Sequence, residues 1–172
     1  MSSVKQKVFY SFHYDKDVFR VQQIRNIGAI EENKPVTVNA WEEVKKGGNK
    51  GIEKWINDNM KDKTCVVILV GEDTSNRPWV RYEIKKAWAD GKGLLGIYIH
   101  NLKCPVTSKK YPYTGKSVKG KNPFDTFTLG DKDLSDIVYC YDPDHDSPNK
   151  DIINNLEKWI EKAITIRNKY AK

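Results

Sequence analysis

Apolar residues recur along the chain in two periods, and the alternation between these periods outlines a fold. Val8, Phe9, Tyr10, Ser11 and Phe12 make a short run rich in β-favouring side chains, which predicts a buried first strand. Asp15 or Asp17 then caps a helix in which Val18, Val21, Ile24 and Ile27 recur every three residues until Gly28 ends it. The pair repeats. Val36, Val38 and Ala40 alternate after Pro35 as a second strand, and Ile52, Trp55, Ile56 and Met60 fall on one helical stripe. Between them, Lys46-Gly47-Gly48-Asn49-Lys50-Gly51 lacks dinucleotide-binding spacing and reads as a flexible loop. Cys65 to Val70 is unbroken apolar sequence, as expected of a central strand covered on both faces. Pro78 suits the first turn of a third helix, with Val80, Ile84, Ala87 and Trp88 as its stripe and Gly91 beyond its end. Leu94 to Ile99 predicts a fourth strand and Ile137 to Tyr141 a fifth. A last helix, from about 149 to 168, carries Ile152, Leu156, Trp159, Ile160 and Ala163 on one face.

Strands that alternate with helices imply right-handed crossovers, hence an α/β domain with a doubly wound, mainly parallel sheet. Five strands predict the flavodoxin-like order 2-1-3-4-5, whose chain reversal falls between the first and third strands. Ligands of such sheets bind at that switch point, outside the carboxyl ends of the strands. The rule selects Phe12-His13-Tyr14, after the first strand, and Gly71 to Arg77, after the third. A length of 172 residues fits one domain over 1–172, with a basic loop at 103–121 and the terminal helix at about 149–168.

Composition narrows the class. Hydrophobic content of 38% with 31% charged residues excludes disorder and a membrane-spanning chain. The N-terminus carries no apolar signal core, so the expectation is a cytoplasmic protein with no membrane partner. The net charge of +7 is concentrated: Lys103 to Lys121 holds six lysines and no acid, whereas seven aspartates lie between Asp131 and Asp151. Such opposed segments suggest complementarity within the protein, or a solvated surface, more than a nucleic-acid face. A basic patch with Tyr111 and Tyr113 as stacking groups stays open as the weakest alternative. Cys65, Cys104 and Cys140 form an odd set without metal-binding spacing, and His13, His100 and His145 are scattered, so no metal site is signalled.

Chemistry at the switch point is sparse. No phosphoacceptor Asp ends the third strand, and no P-loop string occurs. Glu83 stands out, because Trp79 and Glu83 are i and i+4 on the third helix, beside the Val80/Ile84 stripe. A carboxylate held there, partly desolvated, can stabilise positive charge or orient a hydroxyl. The alternative is a surface Glu paired with Lys86 at i+3. For the neighbours too, structural roles compete: Phe12 as core, Trp79 as a helix anchor, His13 and Ser75 as caps.

Val8-Phe9-Tyr10-Ser11-Phe12 resembles the first strand of TIR domains, and Ser75-(x3)-Trp79-(x3)-Glu83-Ile84 resembles the segment that bears their catalytic glutamate. The strings Ser11-Phe12-His13-Tyr14, Trp41-Glu42, Arg77-(x)-Trp79-Val80-Arg81-Tyr82-Glu83-Ile84 and Gly120-(x)-Asn122-Pro123-Phe124-Asp125 are similar to the TIR-like ThsB proteins of Thoeris antiphage systems. That resemblance implies an enzyme that cleaves the nicotinamide–ribose bond of NAD, with NAD as substrate and no further cofactor. It also implies a linear or cyclic ADP-ribose signal read by a partner effector, with self-association left open. Glu83 is implied as the catalytic residue, with Ser11, Phe12, His13, Trp41, Glu42, Ser75 and Trp79 as substrate-binding candidates. The rival expectation is a TIR-like interaction module in which the crevice is vestigial.

Overall fold

The computed structural model describes residues 6–13, 20, 21, 24, 43–102 and 118–170. In chain order these form strand β1 (Val8–Ser11), helix α1 (Gly48–Met60), strand β2 (Cys65–Val70), helix α2 (Pro78–Ala89) and strand β3 (Gly93–Tyr98). Three two-residue strands follow, β4 (Thr128–Leu129), β5 (Lys132–Asp133) and β6 (Cys140–Tyr141), and then the long helix α3 (Pro148–Lys169). One four-stranded sheet has the order β1-β2-β3-β6, with every pairing parallel. Val8 pairs with Cys65 and Ser11 with Ile68, so β1 and β2 end at the same sheet edge, as the switch-point expectation requires. The predicted second strand, 36–40, lies outside the described residues. So does most of the first predicted helix, of which Arg20, Val21 and Ile24 are described, helical and buried.

Strand side chains alternate between faces, and here each face meets helices. Val66, Ile68 and Val70 pack with Ile52 and Ile56 of α1 and with Val80, Ile84 and Ala87 of α2. Cys65, Val67 and Leu69 pack on the other face with Val21, Ile24 and the α3 stripe Ile152, Leu156, Ile160 and Ala163. This two-sided cover explains why β2 is apolar throughout. Buried Arg20 fits because its Nε donates to the Leu102 carbonyl at 2.9 Å.

The crossover from β3 to β6 is irregular, in line with the loop expected before the fifth strand. No helix covers it among the described residues; Phe124, Leu134, Ile137 and Val138 fill that part of the α2 face, beside the β4–β5 hairpin. The fifth strand, predicted over Ile137–Tyr141, is confined to Cys140–Tyr141. The Ile137 and Val138 amides donate to the Leu134 carbonyl, at 3.0 and 2.9 Å, so a tight turn takes the groups a ladder would need. Two further corrections are smaller. The first strand stops at Ser11 rather than Phe12. The Gly-rich segment expected to be a flexible loop begins α1 at Gly48, and the Gly51 amide donates to the Gly47 carbonyl.

The basic and acidic segments do meet, where Lys119 Nζ lies 2.9 Å from Asp142 Oδ2. Of the basic loop, 103–117 lies outside the described residues and 118–121 carries no regular element. Among the described residues no helix is long and apolar enough to cross a membrane.

Candidate active site

Alternation along β1 decides which side chains reach which face. Phe9 packs with the α1/α2 cluster, whereas Val8, Tyr10 and Phe12 pack with the α3 cluster. Ser11, two residues beyond Phe9, therefore points to the α2 side and is 1% exposed. It stands at the carboxyl end of β1, at the topological switch point.

The turn from β2 into α2 brings the second group there. Thr74 is fully buried; its hydroxyl accepts the Gly71 amide at 2.8 Å, and its carbonyl accepts the Arg77 amide at 3.1 Å. Arg77 is extended, Pro78 occupies the first helical turn, and α2 starts without a side-chain cap. Ser75 therefore does not cap α2; it sits half-buried within the short 3-10 turn Thr74–Asn76. On α2, Val80, Glu83, Ile84 and Ala87 are the buried positions, and Trp79 is half-buried one turn before Glu83. The Trp79 and Tyr82 rings meet edge to face at 5.5 Å, and the Tyr82 hydroxyl donates to Asn57 Oδ1 of α1 at 2.8 Å.

Glu83 is 8% exposed, an unusual burial for a carboxylate without a cation. The expected alternative partner is engaged elsewhere, since Lys86 Nζ binds Asp90 at 2.9 Å. Burial pushes the Glu83 carboxyl up from 4.5 to about 8, against an opposing pull from the Ser11 hydroxyl, which favours the charged form. The Ser11 hydroxyl bears on the Glu83 carboxyl, yet among the described residues neither Ser11 Oγ nor Glu83 Oε2 makes a hydrogen bond of standard geometry. Of the remaining candidates, His13 is half-buried just past β1, and Phe12 packs on the opposite face from Glu83. Trp41 and Glu42 lie outside the described residues. The structure thus brings Ser11 and Glu83 together, with Trp79 one helical turn away, and does not bring Phe12 to them.

Three features here carry no clear signal in sequence: the buried Thr74, the Tyr82–Asn57 link and a close backbone approach at Gly120. A Cβ at Gly120 would lie 2.1 Å from the Gly71 carbonyl oxygen, so only glycine lets this segment run against the end of β2. Beyond it, Asn122 Oδ1 accepts the Phe124 amide at 2.9 Å and Phe124 is fully buried, which accounts structurally for the Gly120–Asp125 string. Among the described residues no group of three or more His, Cys, Asp or Glu side chains could hold a metal ion. Burial raises the Cys65 thiol and pushes Cys140 up to about 12, so neither is a nucleophile at neutral pH. Cys104 lies outside the described residues.

A flavodoxin-like parallel sheet with a buried glutamate, on the helix after β2, facing the end of β1 defines a TIR-like domain. The family described as "Thoeris protein ThsB, TIR-like domain" matches residues 9–104, more than half of the chain, and the chain belongs to that family. A protein of Bacillus cereus (strain MSX-D12) named "Putative cyclic ADP-D-ribose synthase ThsB1" is 34% identical over 125 residues. The alignment covers 70% of this chain and 62% of that relative, so the chain spans less than two thirds of the relative's length. All eight candidate site residues fall inside the family match, whereas Gly120–Asp125 and α3 lie beyond it.

Proposed function

We propose that this chain cleaves the nicotinamide–ribose bond of NAD in antiviral defence and releases an ADP-ribose product, cyclic or linear, as a signal for a partner effector. The observation that carries this reading is Glu83, a buried carboxylate at the switch point with no cation beside it among the described residues. Family membership and the name of the Bacillus cereus relative support it.

Nicotinamide departs as a neutral base, so no general acid is needed, and the ribose is left with oxocarbenium character. One ionised carboxylate at the ribose stabilises that charge, strongly so where water is excluded. In the ligand-free protein Glu83 holds its proton up to about pH 8; the cationic nicotinamide ring favours the ionised form as NAD enters. Capture of the ribose by another atom of the same nucleotide closes a ring, and capture by water gives linear ADP-ribose. Trp79 offers a stacking face, and His13 and Ser75 offer polar contacts at the same sheet edge, with Trp41 and Glu42 as further binding residues.

The test is chromatography of NAD incubated with the purified protein, alone and with extract from phage-infected cells. Free nicotinamide together with an ADP-ribose species is the expected result. NAD left intact under both conditions makes the non-catalytic interaction module the correct reading.

A further inference from the structure

Two buried polar groups, Ser11 of β1 and Glu83 of α2, stand at the seam between these elements, each with an oxygen that makes no hydrogen bond of standard geometry among the described residues; His13, half-buried, lies two residues beyond Ser11. The apolar cluster on this face of the sheet is built from Ile68 and Val70 of β2, Ile52 and Ile56 of α1, and Val80 and Ile84 of α2. The ionisable side chains of α2 have other partners or face water. Lys86 binds Asp90, Arg81 binds Thr126 and covers the Phe127 ring, Tyr82 binds Asn57, and Lys85 is exposed. No charged group among the described residues bears on the Glu83 carboxyl. The side-chain donor that bears on it is the Ser11 hydroxyl, 1% exposed, with no hydrogen bond of standard geometry among the described residues.

We propose that Ser11 is a positioning residue for Glu83, its hydroxyl donating to the carboxylate and biasing the acid toward the ionised form that NAD cleavage requires. The proposal rests on the catalytic reading of Glu83 given above. Its physical basis is a contest at one site: burial disfavours the carboxylate, and a single donor aimed at it favours the carboxylate. With no cation among the described residues to share the task, that donor decides how much of the acid is ionised near neutral pH. Because kcat/KM reports the free protein, it should rise with pH up to about 8 as Glu83 loses its proton.

The experiment uses the full chain as wild type, Ser11→Ala and Ser11→Thr, with two readouts. The first is the titration of the Glu83 carboxyl carbon by NMR without NAD, its resonance assigned with Glu83→Gln. The second is the pH profile of kcat/KM for NAD. Removing the donor should move the titration midpoint up by about one pH unit, a tenfold loss of ionised Glu83 at a given pH below it. Ser11→Thr, which keeps the hydroxyl, should stay near wild type. The acid limb of kcat/KM should move with the midpoint, while the alkaline plateau stays within a few-fold. An unmoved midpoint in Ser11→Ala overturns the proposal, as does a uniform loss of kcat/KM with the limb in place, which would make Ser11 a plain substrate contact. A shifted midpoint in a protein that cleaves no NAD overturns the proposed function instead, and leaves the hold of Ser11 on Glu83 standing.

Discussion

A carboxylate buried without a cation is costly, and at Glu83 the cost has a pH signature. In the unfolded chain this group titrates near 4.5, and in the folded protein burial carries it to about 8. Between those values the unfolded state has lost the proton that the native state keeps. Stability contributed by this group is therefore fully present below about pH 4.5 and is lost progressively as pH rises toward 8. Gln cannot titrate, so the stability of Glu83→Gln relative to wild type should grow from about pH 5 to about pH 8 in thermal melts. A difference that stays flat over this range would show that the carboxyl is not desolvated in solution. The same variant should lose NAD turnover by about 10²-fold or more while remaining folded, the loss typical of one preorganised electrostatic group. Turnover at the wild-type rate by folded Glu83→Gln would remove Glu83 from the chemistry.

At the level of elements, close approaches matter more than propensities. Gly93 opens β3 directly beneath α3, and a Cβ there would lie 2.8 Å from the backbone nitrogen of Ile164 and 2.9 Å from its Cγ1. Backbone cannot rotate away as a side-chain tip can. Gly93→Ala should therefore lift α3 from the sheet and cost about 1–3 kcal/mol, read as a lower urea midpoint with an unchanged slope. An unchanged midpoint would mean that α3 has slack at this contact. The elements that pair and pack on long apolar faces, β2, β3, α1, α2 and α3, were legible in the sequence because a buried face imposes a period. The segment 118–138 was not, because it buries isolated side chains, Phe124, Leu134 and Val138, and ties its amides in turns. Such packing leaves no repeat to read.

For the whole molecule, the family match and the folding unit have different extents. The match stops at residue 104, yet one face of β2 and β3 is covered by α3, far beyond it. Ile152, Leu156 and Ile160 are fully buried there. Full burial of such a side chain contributes about 1.5–3 kcal/mol, so three of them amount to much of the roughly 5–15 kcal/mol that holds a domain together. A chain ended before Pro148 should accordingly show no cooperative urea transition by circular dichroism. A two-state transition near that of the full chain would show that α3 is dispensable.

The α/β class, the parallel pairing of the Val8–Phe12 run with Cys65–Val70 and the position of Glu83 at the switch point were readable from the chain, since each follows from local periodicity or from the handedness of crossovers. Tertiary structure alone decided the state of that site. Whether Glu83 meets Lys86 or a serine depends on how Asp90 engages Lys86 and on which face of β1 carries Ser11. Whether Phe12 joins Glu83 depends on strand alternation at one residue, which sends Phe12 to the opposite face. The reason is that burial, and with it the charge a carboxyl can keep, is set by what the rest of the chain places around it, and no window of sequence contains those neighbours.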